Sequence, residues 1–288
     1  MLEPFQSPQN LPPTSINTAI GTADIGTPDF PIQIEGVRSE QGGLQVLRDD
    51  LLLGGSKQRA CMPYLQELAK SGCKTFVYAS PFAGFAQVAL AVSAHLLGLE
   101  CILFCEQDQS NGSSGHLHPF SKLARSYGAK VFLTDSLASA TTEAQGFVEE
   151  DYRSQQIPLG FNDPIFHKYF ERAVREIWHE IETSQGKNSI QRVWVSVGSG
   201  TLSSCLRVAL PAAVTLVLVD VRVLSPQDPR ILQIQKLPNS LYMKTLEKFA
   251  EPCQLPPAIP SNVHYDAKVW RFLQTLARPG DLWWNVAR

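Results

Sequence analysis

The chain has 288 residues, 44% hydrophobic and 18% charged, and 25 Lys and Arg against 27 Asp and Glu leave a formal charge of -2. That is enough chain for one large core or two modest ones, and the charge balance draws it toward neither a nucleic-acid backbone nor an anionic lipid surface. No run of about 18 apolar residues occurs, so no membrane span is expected. The first thirty residues, rich in Pro, Ser, Thr and Asn without a basic start, make a poor signal peptide. Six cysteines with no C-x-x-C pair read as free thiols of a cytoplasmic protein, and Cys101 and Cys105 with His116 and His118 match no usual zinc spacing.

From Ile32 onward, short apolar strands alternate with amphipathic helices. Strands are predicted at 30–38, 44–50, 74–80, 100–106, 130–135, 192–198 and 214–223, and helices at 61–72, 85–98, 119–128, 166–184 and 266–278. In the fourth helix Phe166, Phe170, Val174 and Ile177 recur near helical spacing. Such alternation predicts an α/β protein with largely parallel sheets. Two helix-strand units in succession suggest a smaller α/β domain over 72–150, inserted into a larger one made of 1–71 and 151–288. The stretch SLASATTEAQGFVEEDYRSQQ is read as the return to the larger body, and the Pro-rich EPCQLPPAIPS as a surface crossing.

Two stretches carry chemistry. LRDDLLLGGSKQRA sets Lys57 directly behind Gly54-Gly55-Ser56, either an ordinary turn or a seat for something anionic. In RVWVSVGSGTLSSCL a strand ends at Val197, Gly198, Ser199, Gly200 and Thr201 turn the chain, and a helix can begin at Leu202. Successive amides with a positive helix end behind them form a phosphate cradle. The turn lacks the Gly-Lys-Ser/Thr ending of a Walker loop, and Ser203 stands where a dinucleotide fingerprint needs glycine. By itself G-S-G-T is also a common strand-to-helix turn. A reactive lysine together with a separate phosphate cradle points to pyridoxal 5'-phosphate.

These residues resemble the fold-type II pyridoxal-phosphate enzymes, in the branch of 1-aminocyclopropane-1-carboxylate deaminase and D-cysteine desulfhydrase. Gly54 to Arg59 (GGSKQR) is similar to that family's Gly-Gly-Asn-Lys-x-Arg segment, VGSGT to its phosphate loop, and HYDAKV to a Tyr-x-x-Lys segment near its C-terminus. The resemblance implies a tryptophan-synthase-β-like fold, with Lys57 holding the cofactor as a Schiff base and serving as the base. It implies phosphate contacts from Gly198, Ser199, Gly200 and Thr201, Tyr265 near the substrate, and Ser80, Gly84 and Gln87 at the substrate carboxylate. A small amino-acid-like substrate, deamination or elimination, and a homodimer follow in the same way.

The chain departs from the pattern at two places. SPFAGFAQ replaces the family's Ser-Asn-His segment, and no Thr-Gly-Gly turn follows LWWNVAR, which leaves Asn285 as the candidate for the pyridine nitrogen. YASPFAGFAQVALA and YDAKVW are similar to short phage-encoded homologues, which implies an alternative activity, decarboxylation of an aminoacyl-modified thymine base in DNA. The same departures suit a degenerate member without turnover. Plainer readings attach to other residues. Arg59 reads as a salt-bridge partner, Phe82 and Phe85 as core or as a stacking platform, and Trp283 and Trp284 as packing. His116 and His118 read as part of a surface loop, Asp163 as a helix cap and Asp220 as a strand end.

Overall fold

The computed structural model describes residues 30–40, 42–107 and 116–288; the sequence readings of 1–29 and of the Gly/Ser-rich 108–115 lie outside them. The described chain opens with an antiparallel pair, β1 (Ile34–Ser39) and β2 (Gly42–Arg48). A 3-10 turn at Gly55–Lys57 then runs straight into α1 (Gln58–Ala69). Next come β3 (Thr75–Ser80), α2 (Ala86–Leu96), β4 (Glu100–Glu106), α3 (Pro119–Ser126), β5 (Lys130–Thr134), α4 (Leu137–Glu150) and β6 (Ser154–Ile157). Their strands form a wholly parallel sheet in the order β5-β4-β3-β6.

The chain returns through α5 (Pro164–Gln185), β7 (Arg192–Val197), α6 (Thr201–Ala209), β8 (Thr215–Asp220), α7 (Pro229–Ile234), β9 (Ser240–Lys244), α8 (Trp270–Leu276) and β10 (Asp281–Asn285). These complete a second sheet, β1-β2-β10-β7-β8-β9, parallel everywhere except β1. The expected α/β alternation is what the chain forms. One core containing Leu47, Tyr64, Phe76, Leu103, Phe166 and Trp284 runs from one sheet to the other. Separate clusters cover the outer faces, around Trp194 and Trp283 on the larger sheet and beneath α4 on the smaller.

Local chemistry explains the elements. α5 is capped by Asp163, whose carboxylate accepts the Ile165 amide at 2.8 Å, with Pro164 next in line where its missing N–H costs nothing. Its buried stripe of Phe166, Phe170, Val174, Ile177 and Ile181 contributes roughly 1.5–3 kcal/mol per side chain. α4 lies in the stretch read as a connection; it buries only Ala140 and Ala144, so its apolar period is faint. β6, Ser-Gln-Gln-Ile, is a polar edge strand with no alternation to read, and it carries the smaller sheet to Ile157. No helix among the described residues is long and apolar enough to cross a membrane.

Both parallel sheets aim the C-terminal ends of their strands at one cleft. Ligands of open α/β sheets gather at such ends.

Candidate active site

The lysine turn is fixed from all sides. A methyl on Gly54 would stand 2.5 Å from Ala89 Cα in α2, while Gly55 sits at φ 62 against the Val286 carbonyl. The double glycine therefore answers two separate demands, close approach to a helix and a left-handed backbone. Gly54 N donates to Gln58 Oε1 at 2.6 Å, and Ser56 N to Val286 O at 3.1 Å. Arg59 grips Asp49 Oδ1 through Nε and Nη2 at 2.9 and 2.6 Å, and Trp284 Nε1 is shared between Asp49 Oδ2 and Ser56 Oγ, both at 2.9 Å. Arg59 is thus structural, as its sequence context suggests, and it braces the turn that presents Lys57.

Lys57 points its amine into the cleft at the positive end of α1, and no described residue hydrogen-bonds that amine. Burial lowers its pKa below the usual lysine range, partly opposed by Cys205, Asp266 and Cys61. The helix end works in the same direction as burial, and both raise the share of neutral, nucleophilic amine above that of an exposed lysine.

Gly198, Ser199 and Gly200 form the second turn, between β7 and α6. Gly200 caps the helix at φ 86 with Ile234 packed against it, and a methyl on Gly198 would stand 2.9 Å from Tyr265 Cε1. The first amides of α6 have no intrahelical acceptor. Ser199 Oγ donates to Thr201 Oγ1 at 3.3 Å, whereas the buried Ser203 Oγ has no partner among the described residues. An orphaned hydroxyl, free amides and a helix N-terminus at one place fit a phosphate group.

The two turns border a single cleft of about 770 Å³, part of it open to solvent. Of the described residues lining it, Lys57 and Asp266 are the only ones of the Lys, Arg, Asp and Glu types. Asp266 is fully buried: Oδ1 accepts from Ser196 Oγ at 2.7 Å and Oδ2 from the Ala287 amide at 3.2 Å. Burial pushes its carboxyl up to about 7, against the opposing pull of Ser196 and the Val286 and Ala287 amides. Sequence reasoning passed over Asp266, taking it as the first residue of a C-terminal helix. The available signal was its place beside Tyr265 in HYDAKV.

Of the sequence-predicted residues, Lys57, Gly84, Gly198, Ser199, Gly200 and Tyr265 line this cleft, and Thr201 lines a small recess that also touches Lys57. Tyr265 lays its ring on Gly198 and meets Phe249 edge-on at 5.1 Å. Ser80 and Gln87 stand behind the cleft wall. Ser80 Oγ donates to Pro81 O, and Gln87 donates to Gly84 O at 2.7 Å while accepting from Ser121 and Cys105, so both side chains are spent on shaping the turn before α2. Asn285 does not reach the cleft. Strand alternation puts it on the Trp283 face of β10, where its amide donates to Pro260 O at 2.9 Å. Phe85 lines the cleft; Phe82 instead joins His118, Phe249 and His264 in a ring cluster with centroids 5.4–6.0 Å from its own.

The chain was compared with known proteins. The model of the family described as "Pyridoxal-phosphate dependent enzyme" matches residues 32–272. No curated protein matches the chain. Among solved structures, an ACC deaminase homologue superimposes with a TM-score of 0.72 at 18% identity, covering 90% of this chain and 89% of its own. A fungal L-serine ammonia-lyase from Rhizomucor miehei gives 0.64 at 15% identity (88% and 94%), and the apo form of diaminopropionate ammonia lyase from Escherichia coli gives 0.60 at 12% (86% and 78%). At these identities the structures share a fold with the chain.

Proposed function

We propose that the chain, which belongs to the pyridoxal-phosphate dependent enzyme family and has its tryptophan-synthase-β-like α/β fold, breaks a bond at the α-carbon of an amino acid or amino-acid-like substrate, in the manner of a deaminase or lyase. The observation that carries this reading is the meeting of an amine of lowered pKa with an unfilled set of phosphate donors in one cleft. When bound, pyridoxal phosphate supplies an electron sink for charge developing at the substrate carbon.

The chain's own residues divide the remaining work. The Gly198–Thr201 turn, the first amides of α6 and the Ser203 hydroxyl would hold the phosphate. Asp266, the one carboxylate lining the cleft among the described residues, would hold the ring nitrogen; a cation there would repay the cost of its burial. Lys57 would form the covalent link and move the proton at the substrate carbon. The start of α2, at Phe85 and Ala86, offers helix-end amides for the substrate carboxylate. The rings of Phe82, His118, Phe249 and His264 flank this wall and help exclude water.

Purified protein given the cofactor should develop a visible absorption band that Lys57→Ala abolishes. Incubation with D- and L-amino acids should then release ammonia and a keto acid. Carbon dioxide released from aminoacyl-thymine nucleotides in place of those products would make it a decarboxylase. A chain that takes up no cofactor would be a non-catalytic member of the family.

A further inference from the structure

Tyr78 lines the cleft, and the reading above gives it no role. It belongs to β3 in the smaller sheet, is 1% exposed, and meets Phe161 edge-on at 5.6 Å. Its hydroxyl accepts the Gly160 amide at 3.2 Å. A phenol also has one proton to donate, and no described residue receives it. Burial pushes this phenol up to about 12, so the proton stays in place at any working pH.

The position of that proton is set by Gly160. This residue, at φ 72, presses against Ser199: a methyl on it would collide with Ser199 Oγ and stand 3.4 Å from Thr201 Oγ1. Phe161, the next residue, is held at φ 62, a conformation a bulky side chain adopts only when its surroundings impose it. The crossover between β6 and α5 is thereby wedged between the Tyr78 hydroxyl on one side and the phosphate turn on the other. Arg230 lies within electrostatic reach of the phenol, but a guanidinium has no acceptor for that proton, and its Nε and Nη2 donate to Asp228 at 2.9 and 2.7 Å. A buried donor left unused carries a desolvation cost, and Gly160, which donates to the phenol oxygen, also packs on Ser199 and Thr201, so an anion seated at that turn would sit beside the same residue.

We propose that the Tyr78 hydroxyl donates to the phosphate group of the bound cofactor, so that the anion is gripped from the smaller sheet as well as from the Gly198–Thr201 turn. This rests on the pyridoxal-phosphate reading above. It makes the phosphate a tie between the two layers, and it gives the smaller sheet a direct part in holding the cofactor.

The test compares two aldehydes that differ only in the phosphate. Tyr78→Phe in the full chain should bind pyridoxal phosphate roughly tenfold to a hundredfold more weakly, the range for a hydrogen bond to a charged group. It should bind pyridoxal as the unaltered chain does. Equal losses for both aldehydes, or none for pyridoxal phosphate, would overturn the proposal. If Tyr78→Phe does not fold, 3-fluorotyrosine at position 78 keeps both the ring and the acceptor for Gly160. Its fluorine resonance should then move on addition of inorganic phosphate, and an unmoved resonance would equally overturn the proposal. A moving resonance in a chain that forms no covalent link with pyridoxal phosphate would support the seat and remove the cofactor reading alone.

Discussion

The two glycine turns that border the cleft are built in opposite ways. At Gly54–Arg59 nearly every polar group is already paired: Arg59 with Asp49, Trp284 with Asp49 and Ser56, Gln58 with Gly54. The Lys57 amine is left over. At Gly198–Ser203 the props are apolar, Tyr265 against Gly198 and Ile234 against Gly200, and hydrogen-bonding capacity is left unspent, most plainly at Ser203. A covalent anchor needs position, which a closed network supplies. An anion seat needs donors, which such a network would have consumed.

The largest test of this contrast is Lys57→Ala, expected to lower turnover by roughly 10²–10⁴-fold in steady-state assays while the cofactor-free fold persists. Next is Arg59→Ala. It strands the Asp49 carboxylate, which is wholly buried, and should cost roughly 3–5 kcal/mol in chemical denaturation. A loss below about 1 kcal/mol would mean that the lysine turn does not depend on its buried pair.

Asp266 gives a pH-dependent effect of similar size in the cofactor-free chain. Its folded pKa of about 7 lies above the ordinary 3.8, so its contribution to stability is fully present below about pH 4 and is lost as pH rises through 7. The rise corresponds to roughly 4 kcal/mol at about 1.36 per unit. Denaturation midpoints from pH 4 to 8 should show this decline in the unaltered chain and not in Asp266→Asn, and cofactor at the ring-nitrogen position should flatten it. The smallest effect belongs to the phosphate turn. Ser203→Ala should weaken pyridoxal-phosphate binding about tenfold, about 1.5 kcal/mol at the low end for a hydrogen bond to a charged group, without lowering the melting temperature of the cofactor-free protein. A drop in that temperature would show the hydroxyl to be structural.

The central strands were legible as short continuous apolar runs, because parallel strands buried on both faces need no alternation, and α5 by the 3.6-residue period of its buried stripe. α4, β6, α7 and β9 were not: α4 buries only two alanines, β6 is a polar edge, α7 is six residues long with two buried isoleucines, and β9 is an edge strand with no buried residue. At the cleft, Lys57 and the Gly198–Thr201 turn stood out because, though each alone reads as an ordinary turn, a lysine behind a double glycine and a separate glycine turn before a helix occur together. Ser80 and Gln87 sit where the motif suggested but turn their side chains inward, toward Pro81 and Gly84. Asn285 is one residue out of phase, and in a strand one residue is the opposite face. Asp266 was marked only by its place beside Tyr265, because the burial that raises its pKa, against the pull of its Ser196, Val286 and Ala287 donors, is set by residues distant in the chain.

Sequence alone determined the α/β class, through strand-helix alternation along the whole chain, and it singled out the Lys57 turn and the Gly198–Thr201 turn, each within a dozen consecutive residues. Tertiary structure decided which side chains reach the cleft. Tyr78, Gly160, Ser203 and Asp266 come together there from four separate parts of the chain, and their burial, free protons and electrostatics exist only once both sheets have closed on the same space.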